Sequence, residues 1–420
     1  MISRRSCGHV LRRLISARWT CVVLLAACGF QSRMSADDVS GGDPFVPENL
    51  CVEVAAGSPP FKIPQTCVQT TASSIDITAD TAIDTTAGTS DLHCTVVPSS
   101  RTCVLAASAI HIAANAKLSA RGARPLALFA HTITIAGTLD VASHLGAVPG
   151  AGTRPDGCTA GVLARGAGGG RGGAAAGPGG DGGNEGGNDS AVQATGARGG
   201  ATLNVVTLAG GCGGTRGGDG TTTSMSPDLS DGGVSTGGAG GGAVWIYADR
   251  DPLVIAAGAV INASGAPGAG GATPGHGGGG GGGGGLIVLH APSIQLDPTA
   301  MIFANGGPGG GGAGINASGT GYKAGTPGTD PDGPASSGSA GQGGTDGNSS
   351  PPPANEGDGG LGYPSSSTRG HDGGGVPGRG GGGGGGGAGA IRVISSQELA
   401  VSSNLSPPPI RLEPPIPPAR

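Results

Sequence analysis

The chain has 420 residues, of which 93 are glycine and 32 proline; aromatics make up 2% and charged residues 12%. So little bulky apolar material excludes a large conventional core, and a formal net charge of −5 excludes the basic surface that a nucleic-acid backbone needs. One elongated domain with large insertions fits this composition better than several globular ones.

Residues 1–27 read as an export signal. Arg4, Arg5, Arg12, Arg13 and Arg18 form a basic start with no acid beside it, and setting them aside leaves 18 basic residues against 28 acidic. The apolar run from Cys21 to Ala27 is too short to cross a bilayer. It ends in Leu25-Ala26-Ala27-Cys28, which resembles a bacterial lipobox. That resemblance implies a lipidated Cys28, carrying acyl chains such as palmitate, as the mature N-terminus and membrane anchor. A plain secretory signal cleaved after Ala27 is the alternative. Gly29 stands where an Asp often retains such proteins at the inner membrane, so an outer-membrane or cell-surface lipoprotein is expected. Residues 28–48 read as a polar tether, and 49–72 as an N-terminal cap over the first repeat.

From 73 to 406 short apolar strands recur. Leu296 and Ile302, Ile255 and Ile261, Ile112 and Leu118, and Ile77 and Ile83 share one spacing. Two residues beyond each second member stands a small residue: Ala304, Ala263, Ala120 or Thr85. A further strand precedes most copies, as in Leu126-Leu128-Ala130 and Val244-Ile246-Ala248. The units lie near 75–87, 103–122, 126–143, 243–265, 286–306 and 390–405. Period-two alternation marks strands, and repeats that cannot bury an edge alone must stack. The expected fold is all-β, a right-handed parallel β-helix of about six coils; a sandwich of ordinary strands is the alternative.

Glycine-rich insertions occupy 144–242, 266–285 and 307–389, each ending in a glycine run such as Gly277 to Gly285 or Gly380 to Gly387. Such composition cannot make helices or buried strands, which leaves disorder or extended polyglycine-like packing beside the repeats. The segment 307–389 is expected to be dispensable for folding. Residues 407–420 read as a polyproline II tail.

Outside residues 1–28 the cysteines are Cys51, Cys67, Cys94, Cys103, Cys158 and Cys212. An even number in an exported chain points to disulfides, and sequence proximity favours 51–67, 94–103 and 158–212 among fifteen pairings. There is no Cys-x-x-Cys, so zinc is not expected. Gly186-Gly187-Asn188-Asp189 resembles one corner of a calcium-binding repeat, with Asp181 and Glu185 nearby, but it stands alone. No phosphate loop is present, and no cofactor is expected.

Catalysis has thin candidates. In a stacked register Asp76 and His111 are adjacent, and Asp84 and Asp140 lie two strands apart on one outer row with no cation beside them. Trp245 and Tyr247 alternate with core residues and are expected to point outward, either to stack on sugar rings or to be covered by the insertion 144–242.

The lipobox, the short strands and the glycine-rich insertions together resemble the glycine-rich repeat lipoproteins of large-genome Gram-negative bacteria. The strand units alone resemble, more loosely, the β-helical passengers of surface adhesins. These resemblances imply a non-catalytic structural or adhesive role in the cell envelope, with the membrane and a surface polysaccharide or another cell as partners and no nucleic acid. A carbohydrate-binding or carbohydrate-cleaving enzyme is the first alternative, and a calcium-stabilised surface protein the second.

Overall fold

The computed structural model describes residues 47–52, 66–86, 94–97, 101–153, 158, 164, 166–186, 207–219, 235–272, 275–315, 322–343, 357–373, 379–397 and 404–411. All regular structure among them is β. The strands are β1 (Asn49–Val52), β2 (Thr66–Gln69), β3 (Ala72–Ile77), β4 (Thr81–Asp84), β5 (Thr95–Val97), β6 (Thr102–Ile112) and β7 (Lys117–Arg121). Next come β8 (Leu126–Ala130), β9 (Thr132–Ile135), β10 (Thr138–Asp140), β11 (Ala243–Ala248), β12 (Leu253–Ile255), β13 (Val260–Asn262) and β14 (Leu286–His290). The last are β15 (Ile294–Leu296), β16 (Met301–Phe303), β17 (Gly314–Ile315), β18 (Tyr322–Lys323), β19 (Ala390–Ile394), β20 (Leu405–Ser406) and β21 (Ile410–Arg411).

One six-stranded sheet runs β20-β16-β13-β10-β7-β4, and a larger one follows the path β15-β12-β9-β6-β8-β11-β14-β19-β21, with β3 and β5 also on β6. Neighbours are parallel except β5 against β6. The right-handed parallel β-helix of about six coils is therefore corrected: the parallel sheets form a half-barrel, not a clear solenoid. One cause is β6, whose first half pairs with β8 and whose second half pairs with β9, so that two expected faces join in one unbroken strand. The other is that the glycine segments, expected as insertions between coils, are themselves a packed layer.

The register read from the repeats largely holds. Ile77, Ile112, Ile135, Ile255 and Leu296 stand opposite one another in sequence, as do Leu118, Leu139, Ile261 and Ile302. These residues share one apolar cluster with Leu105, Leu128, Ile246 and Leu289. β4 departs from it: Ile83 pairs with Ala120 rather than Leu118. Beyond it Thr85 N donates to Arg121 O, and Gly122, at φ 118°, lets the chain turn past Thr85 and Thr86.

The glycine runs are ordered. Along 277–282 successive N–H groups donate to Gly218, Gly381, Ala269, Thr215, Gly384 and Ala266, at 2.8–3.0 Å. The partner segment therefore recurs every third residue, which is the rotation of a polyproline II-like helix with no internal hydrogen bonds. Carbonyls of the same run accept from Gly170, Gly238 and Gly310. Segment 276–285 is thus enclosed by 167–173, 210–218, 235–242, 263–271, 304–313 and 379–389. Segments 304–313 and 379–389 are enclosed in the same way, the latter by 177–186, 357–363 and 368–373 among others. A Cβ on Gly278, Gly281 or Gly383 would land on the carbonyl oxygen of Gly310, Gly307 or Gly279. Central segments therefore need glycine at nearly every position, while outer ones such as 179–184 (Gly-Gly-Asp-Gly-Gly-Asn) tolerate a side chain at each third position.

This lattice overturns the reading of 307–389 as dispensable, because 304–313, 357–363 and 379–389 are core elements of it. It also buries Ser264, whose Oγ accepts from Asn305 N at 3.1 Å.

Candidate functional site

Trp245 and Tyr247 do lie on the outer face of β11, since Val244, Ile246 and Ala248, which alternate with them, enter the apolar core. Of the two readings open for them, sugar stacking is corrected, because both are covered, at 2% and 9% exposure. Phe129 packs edge-on to Trp245 at 4.8 Å and to Tyr247 at 5.3 Å. Leu50 and Val68 of the β1–β2 hairpin lie over this cluster, joined by Ala176 and Leu208 from the first insertion. Tyr247 Oη donates to Cys51 O at 3.3 Å. Residues 49–72 thus lay their hairpin along the outer face of the large sheet.

Three disulfides join Cys51 to Cys67, Cys94 to Cys103, and Cys158 to Cys212. The first closes the hairpin at directly paired positions. The third ties the lattice segment 210–218 across 54 residues of sequence. Three such bonds fit an oxidising, non-cytoplasmic compartment. No helix of the described residues is long and apolar enough to cross a membrane.

Asp76 and His111 meet as paired residues, Asp76 Oδ1 lying 3.8 Å from His111 Nδ1, and both are well exposed. A solvated pair of this kind contributes little. Asp84 and Asp140 do not share a row: Asp84 pairs with Arg121, whereas Asp140 pairs with Ser119. The shift of β4 is the reason.

Asp140 is also not bare of cations. It is 1% exposed, and its Oδ2 receives Lys117 Nζ at 2.7 Å, Arg121 Nη2 at 2.9 Å and His144 Nε2 at 3.0 Å. His144 Nδ1 faces Asp330 Oδ2 at 3.0 Å. Burial alone would raise the Asp140 carboxyl, but the hydrogen bond from His144, the Arg121 charge and the Lys117 hydrogen bond hold it well below the usual range. Hydrogen bonds to Asp140 and then Asp330 raise His144 from an ordinary 6.5 to about 9, against the opposing effect of burial. The imidazolium therefore clamps the turn at 330, which belongs to the third insertion, onto β10. Sequence spacing signals only part of this cluster, since Lys117, Arg121 and His144 flank β7 and β10 while Asp330 is remote.

A second ionic group fastens the N-terminal hairpin. His131 contacts Asp249 Oδ1 at 2.6 Å through Nδ1 and Glu48 Oε2 at 2.8 Å through Nε2, and Arg250 Nη2 donates to Glu48 Oε2 at 2.9 Å. The His131 hydrogen bond, followed by the Arg250 charge, lowers the Glu48 carboxyl.

The first group is centred on a buried carboxylate, whereas the second lies at the surface, with Glu48 and Arg250 exposed. Among the described residues no three His, Cys, Asp or Glu side chains converge as metal ligands. Asp181 and Glu185 lie on lattice segment 177–186, and Asp189 falls outside the described residues, as do Cys28, the signal over 1–27, most of the tether and residues 412–420 of the tail. No family model matches the chain, and no match is found among curated proteins or solved structures.

Proposed function

We propose that the protein is an exported cell-envelope lipoprotein, anchored through Cys28, whose rigid body serves a structural or adhesive role at the surface of a Gram-negative cell and catalyses no reaction. The observation that carries this reading is the three-disulfide all-β body in a chain that begins with a basic, then apolar, lipobox-like segment. A body whose glycine layer is fixed by backbone hydrogen bonds between its own segments suits a spacer or a presenting platform better than a moving catalyst. With Trp245 and Tyr247 covered, the sugar-stacking alternative has lost its aromatic platform.

Cys28→Ser is expected to move the protein from the membrane fraction to the soluble fraction and to remove the acyl mass from its N-terminal peptide. Unchanged membrane association and unchanged mass would rule the anchor out.

A further inference from the structure

The outer face of the large sheet holds a second group of polar atoms, next to the aromatic cluster. Trp245, Val288 and Arg392 form one row across β11, β14 and β19, and Tyr247, His290 and Ile394 form the next. His290 therefore lies diagonally between Trp245 and Arg392, within about 10 Å of sheet surface. Its ring stacks parallel to Trp245 at 6.2 Å and meets Tyr247 edge-on at 4.8 Å.

Trp245 Nε1, His290 Nδ1 and Arg392 Nε are all buried, and none has a hydrogen-bond partner. The residues are 2%, 5% and 8% exposed. Indole and guanidinium groups donate and cannot accept, so what completes them must bring acceptor oxygens. No carboxylate pairs with Arg392 among the described residues, so a negative ligand is favoured over a neutral one. Near-complete burial excludes a polymer and limits the ligand to a few atoms.

We propose that this patch of β11, β14 and β19 is a binding site for a small carboxylate, whose oxygens accept from Arg392 and His290 with Trp245 Nε1 at the third side. The planar guanidinium fork matches a carboxylate in shape as well as charge. Burial alone lowers His290 to about 4, so without an anion its ring is neutral at ordinary pH. A bound carboxylate opposes that effect and draws the ring toward protonation.

The test uses the full chain with Trp19→Phe, which leaves Trp245 as the lone indole. Acetate is titrated against chloride at constant ionic strength, following Trp245 fluorescence and the His290 ring resonance. The expected result is a saturable acetate-specific change, an upward displacement of the His290 midpoint, and at least about tenfold weaker binding in Arg392→Lys, which keeps the charge and loses the fork. A linear response, the same response to chloride, or equal binding by the variant would overturn the proposal and leave ordered water as the partner of these donors.

Discussion

Gly383→Ala should lower the thermal midpoint on the order of 5 °C, while Gly333→Ala should leave it unchanged. The two replacements add the same methyl group. At Gly383, inside central segment 379–389, that methyl meets the carbonyl of Gly279 and the backbone of Gly280. No flexible side chain is there to yield, so relief requires moving a hydrogen-bonded neighbour. Overpacking in a close-packed interior costs about 1–3 kcal/mol, and an all-backbone obstacle puts this case at the upper end. At Gly333 no heavy atom lies within 4 Å of the new methyl. Thermal unfolding followed by circular dichroism distinguishes them. Equal midpoints would mean that the glycine segments do not pack against one another.

Asp140→Asn is the second large effect. The change keeps the shape of the side chain and removes the carboxylate shared by Lys117, Arg121 and His144. Breaking a buried ion pair from one side costs about 3–5 kcal/mol, and the partial exposure of Lys117 favours the low end. The parent protein carries a matching pH signature. His144 is raised from 6.5 to about 9, so its contribution is complete below about pH 6.5 and is lost as the pH rises toward 9. Asp140 is lowered, so its contribution is present above its ordinary 3.8 and is lost in stronger acid. Urea unfolding from pH 5 to pH 10 should show stability falling between about pH 6.5 and 9 in the parent and a much flatter profile in Asp140→Asn. Parallel profiles would show that His144 draws its shift from elsewhere.

Strand positions and most of the register were legible because buried parallel strands repeat a period-two pattern and their apolar residues must align across neighbours. The shift of β4 was not, because four residues from Ile77 to Thr81 stand against six from Ile112 to Leu118, and equal apolar spacing in the two copies hides that difference. The six cysteines paired as their proximity suggested. The lattice was legible only as an alternative to disorder. Its signal is present in hindsight: uninterrupted glycine in 277–285 and 380–387 marks segments enclosed on every side, and Gly-Gly-x in 179–184 marks an outer one. What hides the signal is that such packing has no apolar pattern. Its stabilisation comes from backbone hydrogen bonds between segments remote in sequence. For the same reason the covering of Trp245 and Tyr247 was legible only as one of two alternatives, without the part played by the β1–β2 hairpin, and the approach of Asp330 to His144 could not be placed.

Amide hydrogen exchange of the uniformly 15N-labelled protein tests the central claim most directly. If the glycine segments form a hydrogen-bonded lattice, the amides of 277–285 and 380–387 will exchange at least about a thousandfold more slowly than an unprotected peptide, in the range of β11 and β14. Exchange of those glycines at the unprotected rate, with β11 and β14 still protected, would contradict it.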